Sequence, residues 1–141
     1  MSLIEKRLSK ELQGYTYSVE KKGSLIIVSF QYENNYFTFN LDKGYPFRSP
    51  LVSSKNNVII SYKPNHVPMK LLKMYKNKFD RCPCCDTITC PNNWTPSCGL
   101  VKIIEEYDKF KEDIIKIQKC RFIDKIKTLP YDMKFYIKMF L

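Results

Sequence analysis

The chain has 141 residues, 44% hydrophobic and 14% aromatic, which is enough to bury one core and too apolar for intrinsic disorder. A formal net charge of +10 favours acidic partners, yet the lysines are scattered with no basic block, so a solvated surface is expected and nucleic-acid binding is disfavoured. No apolar run approaches the roughly 20 residues of a membrane-crossing helix, and the charged N-terminus lacks a signal-peptide core.

Ser2-Leu-Ile-Glu5 has the form of a capping box, and Ile4, Leu8 and Leu12 then recur at helical spacing until Gly14. Lys6, Arg7 and Lys10 fall off that stripe. Tyr15, Tyr17 and Val19 alternate as a first strand. Lys21-Lys-Gly23 makes a turn, and Ser24 to Tyr32 is a β-branched, aromatic run. Asn34-Asn35 is the next predicted turn, Tyr36 to Leu41 a third strand, and Val52 to Ile60 a weaker fourth with Asn56-Asn57 inside it. The expectation is an α+β domain spanning residues 1–141, with an antiparallel four-stranded meander behind the first helix.

Two proline-bearing segments interrupt regular structure, Tyr45-Pro-Phe-Arg-Ser-Pro50 and Tyr62-Lys-Pro-Asn65. Leu72, Tyr75 and Phe79 predict a short helix within Met69 to Phe79. From Leu100 to Ile117 a 3.6-residue period predicts the longest helix, with a break expected near Cys120. Pro130 opens a last amphipathic piece.

Between those helices lies Arg-Cys-Pro-Cys-Cys-Asp-Thr-Ile-Thr-Cys-Pro-Asn-Asn-Trp-Thr-Pro-Ser-Cys-Gly, residues 81–99, with five of the six cysteines and the only tryptophan. Core packing does not place paired cysteines in a proline-flanked loop, so the thiols are read as nucleophiles or metal ligands. In a reducing compartment disulfides rank behind both. Cys82 and Cys85 form a Cys-x-x-Cys knuckle that Cys90 and Cys98 would complete as a structural zinc site, leaving Cys84 free; His66 is the other nearby donor.

Taken in order, these motifs resemble the ubiquitin-conjugating enzyme family. Glu5 to Leu12 is similar to its first helix, Tyr45 to Pro50 to its Tyr-Pro-Phe-x-x-Pro loop, Tyr62 to Asn65 to its Tyr-His-Pro-Asn turn, and Asn93 to Pro96 to its Asn-Trp-Ser-Pro. Lys63 stands where the family has histidine, and residues 69–79 lengthen the path to the cysteines. The pattern is that of a divergent member, of viral or protist type.

The resemblance implies a protein that carries ubiquitin or a ubiquitin-like modifier as a cysteine thioester and passes it to lysine, with no catalytic cofactor. The family's Cys-Leu-Asp-Ile-Leu fits best with Cys84 as nucleophile, whereas the spacing back from Trp94 selects Cys85; the reading settles on Cys85 and keeps Cys84 beside it. Asn65 would supply the oxyanion hydrogen bond. Lys6, Arg7 and Lys10 match the surface that meets the activating enzyme, and Phe47, Pro96 and Ser97 match positions that dock ubiquitin ligases. The alternative is a catalytically silent adaptor whose cysteine loop binds zinc. Either way the expected protein is a monomer of cytoplasm or nucleus, of the host cell if viral, with no membrane partner.

Overall fold

A computed structural model describes residues 2–60 and 67–141. The turn holding Lys63, Pro64, Asn65 and His66 lies outside them, and with it the expected oxyanion donor. Helix α1, Leu3–Glu11, begins at the expected capping box: the Ser2 hydroxyl accepts from the Glu5 amide and Glu5 Oε2 accepts from the Ser2 amide at 2.8 Å. Five strands follow, β1 Tyr17–Lys22, β2 Leu25–Tyr32, β3 Asn35–Leu41, β4 Val52–Lys55 and β5 Val58–Ile60, all antiparallel and in sequential order.

The weak fourth strand expected over Val52 to Ile60 is therefore a hairpin of two. Asn56 and Asn57 adopt φ of 50° and 65°, a left-handed pair that asparagine tolerates, and the chain reverses so that Lys55 faces Val58. The turn between β2 and β3 sits one residue earlier than expected, at Glu33 and Asn34, because Tyr32 pairs with Asn35. Alternation along the central strands sends Val28, Phe30, Phe37, Phe39 and Leu41 to one face, all fully buried. Against that face pack Ile4, Leu8 and Leu12 after α1's start, and Leu100, Ile103 and Ile104 of α3.

Helix α2, Met69–Phe79, forms as expected. It buries Leu71 and Tyr75 against Ile114 and Ile117 of α3, Leu100–Asp124, with the Tyr75 and Phe110 rings edge to face at 5.0 Å. Helix α3 runs 25 residues through Cys120 without the expected break. The sequence there carries no proline or glycine to interrupt the hydrogen-bond ladder. After Pro130 comes α4, Tyr131–Lys138, whose Lys134 and Lys138 turn back to Asp124 while Tyr131, Phe135 and Tyr136 face outward. Among the described residues no helix is long and apolar enough to cross a membrane.

Candidate functional site: a three-thiol loop

Two irregular stretches flank the start of α3, and side chains from α1 organise the first. Glu11, nearly buried, accepts from the Tyr45 hydroxyl at 2.6 Å, from Arg7 Nε at 3.1 Å and from the Leu100 amide. Glu11 thereby caps α3 from another element, since Gly99 at the N-cap position has no side chain to do so. A Cβ on Gly99 would lie 2.9 Å from Glu11 Oε1, so glycine is what allows the carboxylate so close. Arg7 Nη2 donates to the carbonyls of Pro96 and Cys98, and the buried Trp94 indole donates to the Pro46 carbonyl at 2.8 Å. The Tyr-Pro-Phe turn, the Trp turn and α1 therefore meet at one edge. Phe47, Pro96, Ser97, Lys6 and Lys10 are exposed there, whereas Arg7 is committed to holding that edge together.

The second stretch is the thiol loop after α2. The Cys82 carbonyl accepts from the Asp86 amide, and Asp86 Oδ2 returns the bond by accepting from the Cys82 amide at 2.6 Å. The reciprocal pair folds residues 82–86 into one tight turn. Arg81 Nη2 donates to the Asp86 carbonyl and to Glu106 Oε2 of α3, at 3.0 and 2.6 Å. The Glu106 carboxylate also accepts from the Ile88 amide. On the other side Asn93 Nδ2 donates to the carbonyls of Cys85 and Thr87, and Thr87 Oγ1 donates to the Cys84 carbonyl. Irregular backbone is thus satisfied by flanking side chains and the sulfurs are left over.

Those sulfurs converge. Cys82 Sγ lies 3.5 Å from Cys84 Sγ, which lies 3.6 Å from Cys85 Sγ, and all three fall within 4.8 Å of one another. Cys85 is exposed and the other two half-buried. The group is close enough to hold one metal ion. It differs from the expected set of Cys82, Cys85, Cys90 and Cys98: Cys84 joins the group, Cys90 lies beyond the Thr87 turn, and Cys98 is buried in the sheet core beside Trp94. In the sequence, Cys98 adjoins an apolar helix start, which is the signal for core rather than ligand.

The thiols are unequal. Backbone amides of Cys84 and then Cys85 point at Cys82 and lower its pKa to about 7, while the neighbouring Cys82 and then Cys84 sulfurs push Cys85 up to about 11. Of these two, Cys82 gives up its proton first and the more accessible Cys85 keeps its own. Arg81, Glu106, Asp86 and Asn93 had not been singled out as site residues. Asn93 opens the Asn-Trp-Thr-Pro motif, but nothing in the period of α3 marks Glu106 among the helix's other acids.

No protein-family description, curated protein or solved structure matches this chain.

Proposed function

We propose that the protein is a carrier of the ubiquitin-conjugating type, holding ubiquitin or a ubiquitin-like modifier on a thiol of the 82–86 turn. The observation that carries this reading is the inequality just described: an exposed thiol, Cys85, within a few ångströms of Cys82, whose sulfur the neighbouring backbone amides hold below the ordinary thiol range. The resemblance of the Tyr-Pro-Phe and Trp turns, joined here through Glu11 and Arg7 beside the thiol loop, supplies the substrate class.

In this mechanism the Cys85 sulfur attacks the carbonyl carbon of the modifier's thioester on the activating enzyme. Its proton passes to the Cys82 thiolate, and the activating enzyme's thiolate leaves. Attack needs a thiolate, and Cys82, with a pKa near the working pH, is matched to accept that proton. In the second half, a neutral lysine amine attacks the same carbonyl, the Cys85 thiolate departs, and the proton shed by the amine is taken up by that thiolate. Phe47, Pro96 and Ser97 would offer the ligase surface, with Lys6 and Lys10 offering positive charge to the activating enzyme.

Charging with a matched activating enzyme, ATP and modifier tests this on a non-reducing gel. A reductant-sensitive adduct is expected in the wild type. Cys85→Ser should give a reductant-resistant oxyester, because an alkoxide leaves less readily than a thiolate. Cys82→Ser should still charge, with its pH profile displaced upward. Absence of any adduct with every activating enzyme tried would replace the carrier with the silent adaptor.

A further inference from the structure

The three sulfurs have a spacing that thiols need no metal to adopt but that metals require. A zinc ion with Zn–S bonds of about 2.3 Å in tetrahedral geometry holds its sulfurs about 3.8 Å apart. Two of the three edges, at 3.5 and 3.6 Å, lie within a few tenths of that value and the third is no longer than 4.8 Å, so an ion could enter by a small adjustment of the Cys82 and Cys85 side chains. The backbone beneath is already fixed: Asp86, Asn93 and Arg81 hold the amide of Cys82 and the carbonyls of Cys85 and Asp86, at distances from 2.5 to 3.0 Å. Pre-positioned ligands of this kind lose little entropy on binding. Among the described residues the loop offers three sulfurs and no imidazole, and it leaves one side open to solvent at Cys85, which selects a soft or borderline divalent ion and keeps a fourth position for water or an incoming group.

We propose that Cys82, Cys84 and Cys85 form a three-thiolate site for one Zn2+ ion, with the fourth coordination position open. On binding, each thiol gives its proton to solvent and its sulfur to the ion, so up to three protons are released per ion and no electrons move. A consequence follows that rests on the carrier reading. The lone pair that coordinates the ion is the pair that would attack the thioester, so the ion and the modifier exclude each other at Cys85. Metal would then act as a brake on charging.

The test uses the full chain, purified in a phosphine reductant, with Co2+ as a spectroscopic probe and Zn2+ in competition against a chromophoric indicator. One Co2+ per chain is expected, with a sulfur-to-cobalt charge-transfer band in the near ultraviolet that Zn2+ abolishes. Cys82→Ser, Cys84→Ser and Cys85→Ser should each lower Zn2+ affinity at least tenfold, and Cys90→Ser should leave it within twofold. Far-ultraviolet circular dichroism of each variant separates a lost ligand from a lost fold. The site is overturned if the wild type shows no charge-transfer band, or if Cys90→Ser weakens binding as much as Cys82→Ser while Cys84→Ser does not. The brake is read separately: equimolar Zn2+ should suppress modifier charging and a chelator restore it, with the activating enzyme's own thioester unchanged. Charging that is indifferent to bound Zn2+ overturns the brake and leaves the site standing. A chain that binds Zn2+ and never charges refutes the carrier reading alone.

Discussion

The edge organised by Glu11 and the loop organised by Asp86 and Asn93 use the same device, polar side chains that hold irregular backbone, and end in opposite places. Around Glu11 every group is consumed: carboxylate, phenol, guanidinium and amide satisfy one another, and Trp94 and Tyr45 seal them with apolar surface. Around the thiols only the backbone is satisfied, and the side chains that remain are reactive and partly exposed. Closed networks stabilise; open ones are available for chemistry. The two regions should therefore respond to mutation in different currencies, stability for the first and reactivity for the second.

Glu11→Ala should give the largest effect of any single change in either region. It leaves the Tyr45 hydroxyl, the Leu100 amide and the half-buried Arg7 without the nearly buried acceptor they share. Breaking a buried charged pair in this way is expected to cost about 3–5 kcal/mol, read from the urea midpoint at unchanged slope. Glu11→Gln, which keeps an acceptor oxygen, should lose less. If Glu11→Ala shifts the midpoint no more than an exposed acid does, the closed network is not what holds α1 to α3.

Tyr45→Phe comes next, at about 1–2 kcal/mol, since it removes one hydroxyl and leaves Glu11 with two donors. It also has a pH signature. Burial first, and then the Glu11 carboxylate, push the Tyr45 phenol above the ordinary tyrosine range. The folded state therefore keeps a proton that the unfolded chain loses above roughly pH 10, and stability falls as pH rises past that point. Alkaline denaturation should begin at higher pH in Tyr45→Phe than in the wild type.

The sequence made the closed region more legible than the open one. Alternation in Leu25–Tyr32 and Asn35–Leu41, and the four-residue spacing of Ile4, Leu8 and Leu12, are periodic signals that need no tertiary information. Cys98, expected as a zinc ligand, is instead buried beside Trp94 in the apolar scaffold. The Asn56-Asn57 reversal was missed because flanking β-branched residues read as one strand, although paired asparagines are what a left-handed turn selects. Knuckle spacing leaves Cys84 out of the zinc set and keeps it only as a candidate nucleophile. The reciprocal Cys82–Asp86 bonds instead wind the turn tightly enough to bring a third sulfur in. The role of Glu106, and the bracing role of Arg7 in place of a purely docking one, are not legible in the sequence, since each acts on backbone groups far along the chain.

In the open region, Asn93→Ala removes two donors from loop carbonyls and nothing from the core. A loss of about 1 kcal/mol is expected, with faster amide hydrogen exchange confined to the 82–90 segment. Exchange that accelerates equally in β2 and β3 would mean the loop and the sheet open as one unit, and would erase the contrast between the two regions.

The smallest effect belongs to Glu5, which lies outside both regions and calibrates them. The Ser2 amide, followed by Lys21 at 3.1 Å, lowers its pKa from the ordinary carboxylate value to about 2. The folded state thus releases this proton more readily than the unfolded chain. Its contribution is present above the ordinary carboxylate range and disappears as pH falls toward 2. Because Glu5 is partly and Lys21 largely exposed, solvent and salt screen the interaction, and the effect should shrink further at high ionic strength. Glu5→Gln should slightly lower stability above about pH 6 and flatten the acid limb, so that the variant and the wild type converge as pH falls toward 2. Lys21→Met should reproduce only the salt-sensitive part, since the bond from the Ser2 amide survives it. If Lys21→Met flattens the acid limb as fully as Glu5→Gln, the ion pair rather than the helix cap sets this titration.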